Sequence, residues 1–577
     1  MQELLGHRRT TRRGGAGSSD DFNKYRSKTV KAADLFVCAL QHEGVEVAFG
    51  VPGEENIDLI DAFRRSTIRL VITRHEQTAA FMAATFGRLT GRAGVCFATL
   101  GPGALNLTTP AAYALLGGMP LVMVTGQRKI LSSREGHFQS VDVIATMTPL
   151  TKASRRITNG DGIPSLVRDA FRVAERERPG PVHLELPEDV AAETVDALPL
   201  LARSESVSPI AASEMIDQAA DLIVKADAPL LMVGASASRP GLSEALSDFV
   251  RRVRIPFFNT QMGKGAVSCA SDLYMGTAAL TERDYVHRAI DDADLIVAIG
   301  HDTVEKPPFI MDARRSKVLH VGHIPAAVEE VYFPAAELVG DIGRNLRLLA
   351  DRVEGKLPRA DALLHLREDI LARVANRADE SRFPLTPQRI VHDVRKAMPK
   401  DGIVCLDNGI YKIWFARNYR TDVANTLLLD NALATMGAGL PSAMAAAMVH
   451  PERHVLAVCG DGGFMMNAQD LETAIRLGIN LVVLIIRDDG YGMIRWKQAV
   501  EGLPEFGATF GNPDFDLLAK AHGASGTSVV DADGLVPALV TAFQSGGVHV
   551  VTVPVDYSEN LTVLVDELCN DNGVRSR

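Results

Sequence analysis

From about residue 28 almost to the end of the chain, short β-branched runs alternate with amphipathic helical stretches, and this alternation leaves few architectures open. Strands joined in this way pair in parallel and must cover both sheet faces, which predicts helices packed on either side of parallel sheets. A first block carries VEVAFG (45–50), RLVITR (69–74), AGVCFAT (93–99), PLVMVTG (120–126) and VHLELP (182–187). After a Ser/Pro/Ala-rich stretch at 203–213, a second block carries APLLMVG (228–234), IPFFNT (255–260), ADLIVAIG (293–300), VLHVGH (318–323) and AELVGD (336–341). A charged helical stretch at 355–381, then Pro384 and Pro387, mark the next boundary. The third block supplies GIVCLDNG (402–409), NTLLLDN (425–431), HVLAVCGDGG (454–463), NLVVLIIRDDG (480–490) and VHVVTVPVD (548–556). The expected fold class is α/β, with three doubly wound parallel-sheet domains at 28–200, 205–355 and 385–565. A length of 577 residues exceeds what one core usually serves, which agrees with three.

Composition narrows the function. Against 71 Asp and Glu stand 61 Lys and Arg, and the formal charge of −10 leaves no broad basic surface for a phosphate backbone, so nucleic acid is not an expected partner. The strongest apolar runs, such as LVVLIIR at 481–487, are far shorter than the roughly 20 residues a membrane span needs, so no membrane partner is expected. The six cysteines are scattered singly with no C-x-x-C pair, which fits the reducing cytoplasm. Residues 1–27 lack the apolar core of a secretory signal and read as a disordered tail. What remains is a small-molecule ligand.

The sharpest local feature is the βαβ unit at 454–490: a strand, the turn Gly460-Asp461-Gly462-Gly463, a helix, a second strand, then Asp488-Asp489-Gly490. In such a unit both strands end on one edge of the sheet, about 4.8 Å apart if adjacent, so Asp461 and Asp488 can converge on one ion. Gly462 and Gly463 leave backbone N–H groups bare at a helix start, which suits an anionic diphosphate. Two protein oxygens, completed by phosphate and water, is how Mg²⁺ is usually held. Taken alone, Gly-Asp-Gly is also an ordinary tight turn, and an Asp after a strand also caps helices.

The residues Met444, Ala445, Pro451, Leu456 and Val458 leading into Gly460-Asp461-Gly462-Gly463 resemble the thiamine-diphosphate enzyme signature. The resemblance implies Asp461, Asp488 and the carbonyl of Gly490 as magnesium ligands; the second ligand is commonly Asn, and catabolic acetolactate synthases carry Asp there. Arg74-His75-Glu76 opens a small-residue helix and resembles the activating-glutamate segment, which implies Glu76 as the catalytic carboxylate hydrogen-bonded to the cofactor's aminopyrimidine. TLGPGALN (99–106) is similar to the loop beside that ring, and ALATMGAGLP (432–441) to the segment whose bulky residue, here Met436, wedges the cofactor into a bent shape. By resemblance, Pro52, Gly409, Met436, Asp461, Gly462, Gly463 and Tyr491 contact the cofactor. Each of these positions also has a plainer reading: Glu76 as a first-turn glutamate favoured by the helix dipole, Met436 as core.

Similarity to acetolactate synthases runs from about 28 to 560, through FGVPG (49–53), HFQSVD (137–142), LPEDV (186–190) and DYSEN (556–560). It implies aminopyrimidine-binding, central and diphosphate-binding domains, and decarboxylation of pyruvate with transfer of the hydroxyethyl unit to a second 2-keto acid. Another thiamine-diphosphate-dependent 2-keto acid decarboxylase or lyase is the alternative. Phe138, Gln139 and Met493 match substrate-side positions. The catabolic type fits better than the FAD-containing anabolic one, whose arginine-rich RFDDR-like segment is replaced here by His301 to Lys306 and whose LPKD lysine is Glu188; beside Gly409, Ile410-Tyr411 stands where anabolic members have Gln-His, so some phosphate contacts are expected to be backbone or absent. Flavin is therefore not expected. The family implies a homodimer or homotetramer with its active site at the subunit interface.

Overall fold

In the computed structural model, which describes residues 29–130, 138–196, 199–204, 207–311, 316–357 and 360–571, the alternation builds three six-stranded sheets, parallel throughout. The tail expected at 1–27 lies outside the described residues. Burial follows the parallel rule: Leu481–Arg487 is buried at every position except Arg487, because helices cover both faces.

The first sheet uses Val47–Gly50, Arg69–Ile72, Gly94–Ala98, Leu121–Gln127, Ala153–Arg156 and Pro181–Pro187, laid side by side in the order 2-1-3-4-6-5. The third uses Ile403–Leu406, Leu427–Leu428, Val455–Gly460, Leu481–Arg487, Ser525–Ser528 and Val548–Pro554, in the same order. Both outer domains therefore reverse direction between their first and third strands, and the loops after those strands flank a crevice of the kind that takes ligands. The central sheet, Pro229–Val233, Phe257–Thr260, Tyr274–Ala278, Leu295–Ile299, Lys317–Gly322 and Ala336–Val339, runs 3-2-1-4-5-6.

Several strands depart from the sequence expectation. Ala153–Arg156, Tyr274–Ala278 and Ser525–Ser528 form the outermost strand of their sheets, where a strand needs only one partner and its sequence need not be β-branched. A further antiparallel pair, Thr29–Lys31 with Thr194–Asp196, ties the start of the first domain to its end. The expected strand NTLLLDN shrinks to Leu427–Leu428, which pairs only with Val404 and Cys405.

Two alanine-rich helices, Glu76–Thr90 and Gly439–Val449, join the outer domains. They pack against each other in one continuous core, with Thr85 Oγ1 and Ser442 Oγ 3.0 Å apart across the contact. Gly439–Val449 is buried almost all round, as a helix apolar on every face must be. Among the described residues, no helix is long and apolar enough to cross a membrane.

Candidate active site

The strand Val455–Gly460 ends in an extended Gly460 and passes into a one-turn helix, Asp461–Phe464. Because Gly460 pairs with Ile486, Asp461 and Asp488 leave neighbouring strand ends. Asp461 is 1% exposed, and four donors hold its carboxylate. Oδ1 accepts from Gly462 N–H (2.8 Å); Oδ2 accepts from Asp489 N–H (2.7 Å), Asp488 N–H (3.3 Å) and Asn512 Nδ2 (2.8 Å). Asp488 is less well served. Its buried Oδ2 has no hydrogen-bond partner, and Arg495 Nη1 stands 3.7 Å away. Burial, then the charge of Asp461, pushes the Asp488 carboxyl up to about 7.

A buried carboxylate pair with one orphaned oxygen is an arrangement that a cation relieves, and all its donors are oxygens, which suits Mg²⁺. Among the described residues no cluster of three or more His, Cys, Asp or Glu could hold a metal. An ion at this edge therefore needs further oxygens, as Mg²⁺ at a phosphate commonly does.

The loop behind this pair is tightly fixed. Asp489 sits at φ +55°, its Oδ1 taking Arg487 Nε and Asn512 Nδ2, both at 2.8 Å. Arg495 donates to the carbonyls of Asp488 (2.9 Å) and Asp489 (3.2 Å). Gly490 bridges to Thr509, and a Cβ there would come within 2.5 Å of Ala508 O. Arg495 and Asn512 follow no local pattern that marks them; only the folded loop brings them to the Asp461–Asp488 pair.

Gly462 lies under the rings of Tyr491 and Phe510, which meet edge to face at 4.9 Å. A Cβ on Gly463 would come within 2.4 Å of Asp407 Oδ2. Asp407, absent from the sequence expectation, is buried at the end of Ile403–Leu406; burial pushes it up to about 6, against the pull of backbone N–H groups of Asn408, Gly437, Ala438 and Gly439. Where anabolic members have Gln-His, Tyr411 turns inward. Its hydroxyl accepts the Gly460 N–H at 2.9 Å, and its ring fills the space beside Gly409. Met436 is half-buried just before Gly437, and Met493 packs at the edge of the same domain's core.

At the matching edge of the first domain, Glu76 opens its helix at 8% exposure, with the His75 ring capping Gln77 N–H. Glu76 Oε2 accepts from Asn106 Nδ2 at 2.9 Å, and a Cβ on Gly103 would lie 3.0 Å from Oε1, so the carboxylate lies along the 101–106 loop. Pro52 is exposed after the adjacent strand. Gln139, at φ +54°, lays its carbonyl against Gly101. Phe138 is 65% exposed, with the Arg128 guanidinium 5.4 Å from its ring centre. Thus Glu76, Pro52 and Gln139 gather at one sheet edge, and Asp461, Asp488, Gly409 and Tyr491 at another. Among the described residues, no hydrogen bond or ion pair links Glu76 to Asp461 or Asp488 within the chain.

A cleft opens beyond the ends of Pro229–Val233 and Leu295–Ile299, lined also by Leu116, Gly118 and Asn425 of the outer domains. Segment 301–306 brings no arginine, but Arg88, Arg178 and Arg239 converge there from distant segments. Each is engaged. Arg178 pairs with Asp302 and donates to the carbonyls of Leu115 and Leu116; Arg239 stands 3.5 Å from Glu177; Arg88 donates to Leu429 O at 3.1 Å.

Comparison with known proteins matches three segments to family models: 30–146 to the N-terminal TPP binding domain of thiamine pyrophosphate enzymes, 216–349 to their central domain and 407–553 to their C-terminal TPP binding domain. The catabolic acetolactate synthase of Raoultella terrigena is 35% identical over 547 residues, covering 94% of this chain and 98% of its own length. The acetolactate synthase of Bacillus subtilis (strain 168) is 32% identical, with 94% and 96% covered. The probable acetolactate synthase large subunit of Methanocaldococcus jannaschii is 30% identical, with 93% of each chain covered.

Proposed function

The chain belongs to the acetolactate synthase large-subunit family of thiamine-diphosphate enzymes, and on that premise we propose that it decarboxylates pyruvate and joins the two-carbon unit to a second 2-keto acid. The observation that carries this reading is the buried pair Asp461 and Asp488, with an orphaned Asp488 oxygen beside the helix start at Gly462-Gly463. Asp461, Asp488 and the Gly490 carbonyl would hold Mg²⁺, and the helix start at Gly462-Gly463 would face the diphosphate. When bound, thiamine diphosphate supplies an electron sink for the electrons released as CO₂ leaves. Glu76 holds and returns a proton at its carboxylate, kept in place by Asn106. Phe138, Gln139 and Met493 line the side on which the keto acids enter.

The test is the product. Mass spectrometry after incubation with pyruvate should find acetolactate, which converts to acetoin in acid, only when thiamine diphosphate and Mg²⁺ are present. Acetaldehyde as the sole product, or turnover of only another 2-keto acid, would replace carboligation with the decarboxylase or lyase reading.

No flavin is required in this proposal. Arg178 and Arg88 are tied to Asp302 and to backbone carbonyls, which leaves those two poorly placed to grip a dinucleotide. The purified enzyme is expected to be colourless. A stoichiometric oxidised-flavin absorbance band, with activity lost when the flavin is stripped, would defeat this prediction.

A further inference from the structure

Met436 is an unbranched, flexible side chain, and such a side chain can act as a fixed support only if its backbone is fixed. The structure fixes it from the next residue. Gly437 donates its N–H to Asp407 Oδ2 at 3.1 Å, and its carbonyl accepts from Asn467 Nδ2 at 2.6 Å. Gly437 stands at φ +85°, and a Cβ there would lie 3.0 Å from Asn467 Nδ2, so the clamp closes around a glycine.

Asn467 itself reaches into the first domain. It is 1% exposed; its Oδ1 accepts the Thr78 hydroxyl at 3.2 Å, and its Nδ2 lies 3.5 Å from Gln77 Oε1. Gln77 and Thr78 are the two residues after Glu76, in the first turn of its helix. The residues just beyond Asn467 dock the same helix start: Asp470 Oδ1 accepts the Arg74 N–H at 2.8 Å, and Glu472 pairs with the Arg74 guanidinium. One buried amide thus touches both the backbone that carries Met436 and the turn that carries Glu76. These two segments lie some 360 residues apart in the chain.

We propose that Asn467 is a positioning residue, which holds Met436 through Gly437 and sets the Glu76 helix against the same turn. The inference rests on the roles proposed above for Met436 and Glu76. Asp407 completes the clamp from the opposite side of the Gly437 peptide.

The experiment compares Asn467→Ala, Asn467→Asp and Thr78→Val in the full-length enzyme. Four quantities are measured: thiamine diphosphate affinity with Mg²⁺ by quenching of intrinsic fluorescence, the thermal transition, steady-state kinetics, and the exchange rate of the C2 proton of bound cofactor by NMR. Asn467→Ala is expected to lower kcat and C2-proton exchange together by about 100-fold, the scale of a roughly 1 Å misplacement, while cofactor affinity and KM change by no more than about threefold. Asn467→Asp should do the same, because it keeps an acceptor for Thr78 but puts an oxygen against the Gly437 carbonyl. Thr78→Val should lower both rates by a smaller factor, about tenfold. Wild-type kcat and exchange in all three variants, with only the thermal transition lowered, would make Asn467 a structural residue and overturn the proposal. If the Asn467 variants do not fold, Thr78→Val decides alone, and unchanged rates there overturn it. A wild-type enzyme indifferent to thiamine diphosphate would defeat the proposed function itself. Normal dependence in wild type with normal Asn467 variants would defeat this inference only.

Discussion

Asp461→Ala is expected to abolish magnesium and cofactor binding together, and turnover with them. The expectation follows from how much one carboxylate does: it meets the N–H groups of Gly462, Asp488 and Asp489 and the Asn512 amide, so it shapes the loop that carries Asp488 as well as facing the proposed ion site. Removing a second-sphere partner of a metal typically costs about 10- to 100-fold in affinity or activity, and loss of the ligand itself should exceed the upper figure. Titration calorimetry with Mg²⁺ and thiamine diphosphate should show no binding to the variant. Dialysis of the unmodified enzyme against a chelator should remove activity, and Mg²⁺ plus cofactor should restore it. Full activity after thorough metal removal, or wild-type affinity in Asp461→Ala, would refute this assignment of the site.

The second large effect concerns which chain completes the site. Glu76 and the Asp461–Asp488 pair lie on different domains, about 385 residues apart, and share no hydrogen bond or ion pair within one chain among the described residues. Large apolar side chains stand exposed near both edges: Ile57, Leu105 and Phe138 in the first domain, and Met465, Met466, Tyr491 and Ile494 in the third. A two-fold dimer would cover these and join the Glu76 edge of each chain to the Asp461 edge of its partner, making two identical sites. Glu76→Ala should then lose about 100-fold or more in turnover, the scale of general acid-base contributions, while still binding metal and cofactor. Asp461→Ala should fail at binding. Mixing the two inactive variants under conditions of subunit exchange should restore about a quarter of wild-type specific activity, since half the dimers are mixed and each holds one intact site of two. No recovery despite proven exchange would place both groups in one chain.

Much of this molecule is readable in local sequence. Runs such as LVVLIIR carry their own burial signal, because a strand covered on both faces must be apolar at nearly every position. The turn Gly460-Asp461-Gly462-Gly463 and the 27-residue step to Asp488 already place two carboxylates at adjacent strand ends, since connectivity and strand spacing dictate that much. The edge strands Ala153–Arg156, Tyr274–Ala278 and Ser525–Ser528 were beyond such reasoning, because a strand held by one neighbour can have nearly any composition. So were Asp407, Asn467, Arg495 and Asn512, and the meeting of Arg88, Arg178 and Arg239 in the central cleft. A periodic pattern reports which face of an element is buried, but not which distant polar group will meet it there. Asn467 reads as an ordinary asparagine in the helix expected after Gly463 until the packing of Glu76–Thr90 on Gly439–Val449 brings Thr78 and Gly437 to its two ends. The chain's local chemistry determined the sheets and the carboxylate pair; the pairing of buried polar groups was decided only when three domains closed over them and most desolvated polar groups found partners across the new contacts.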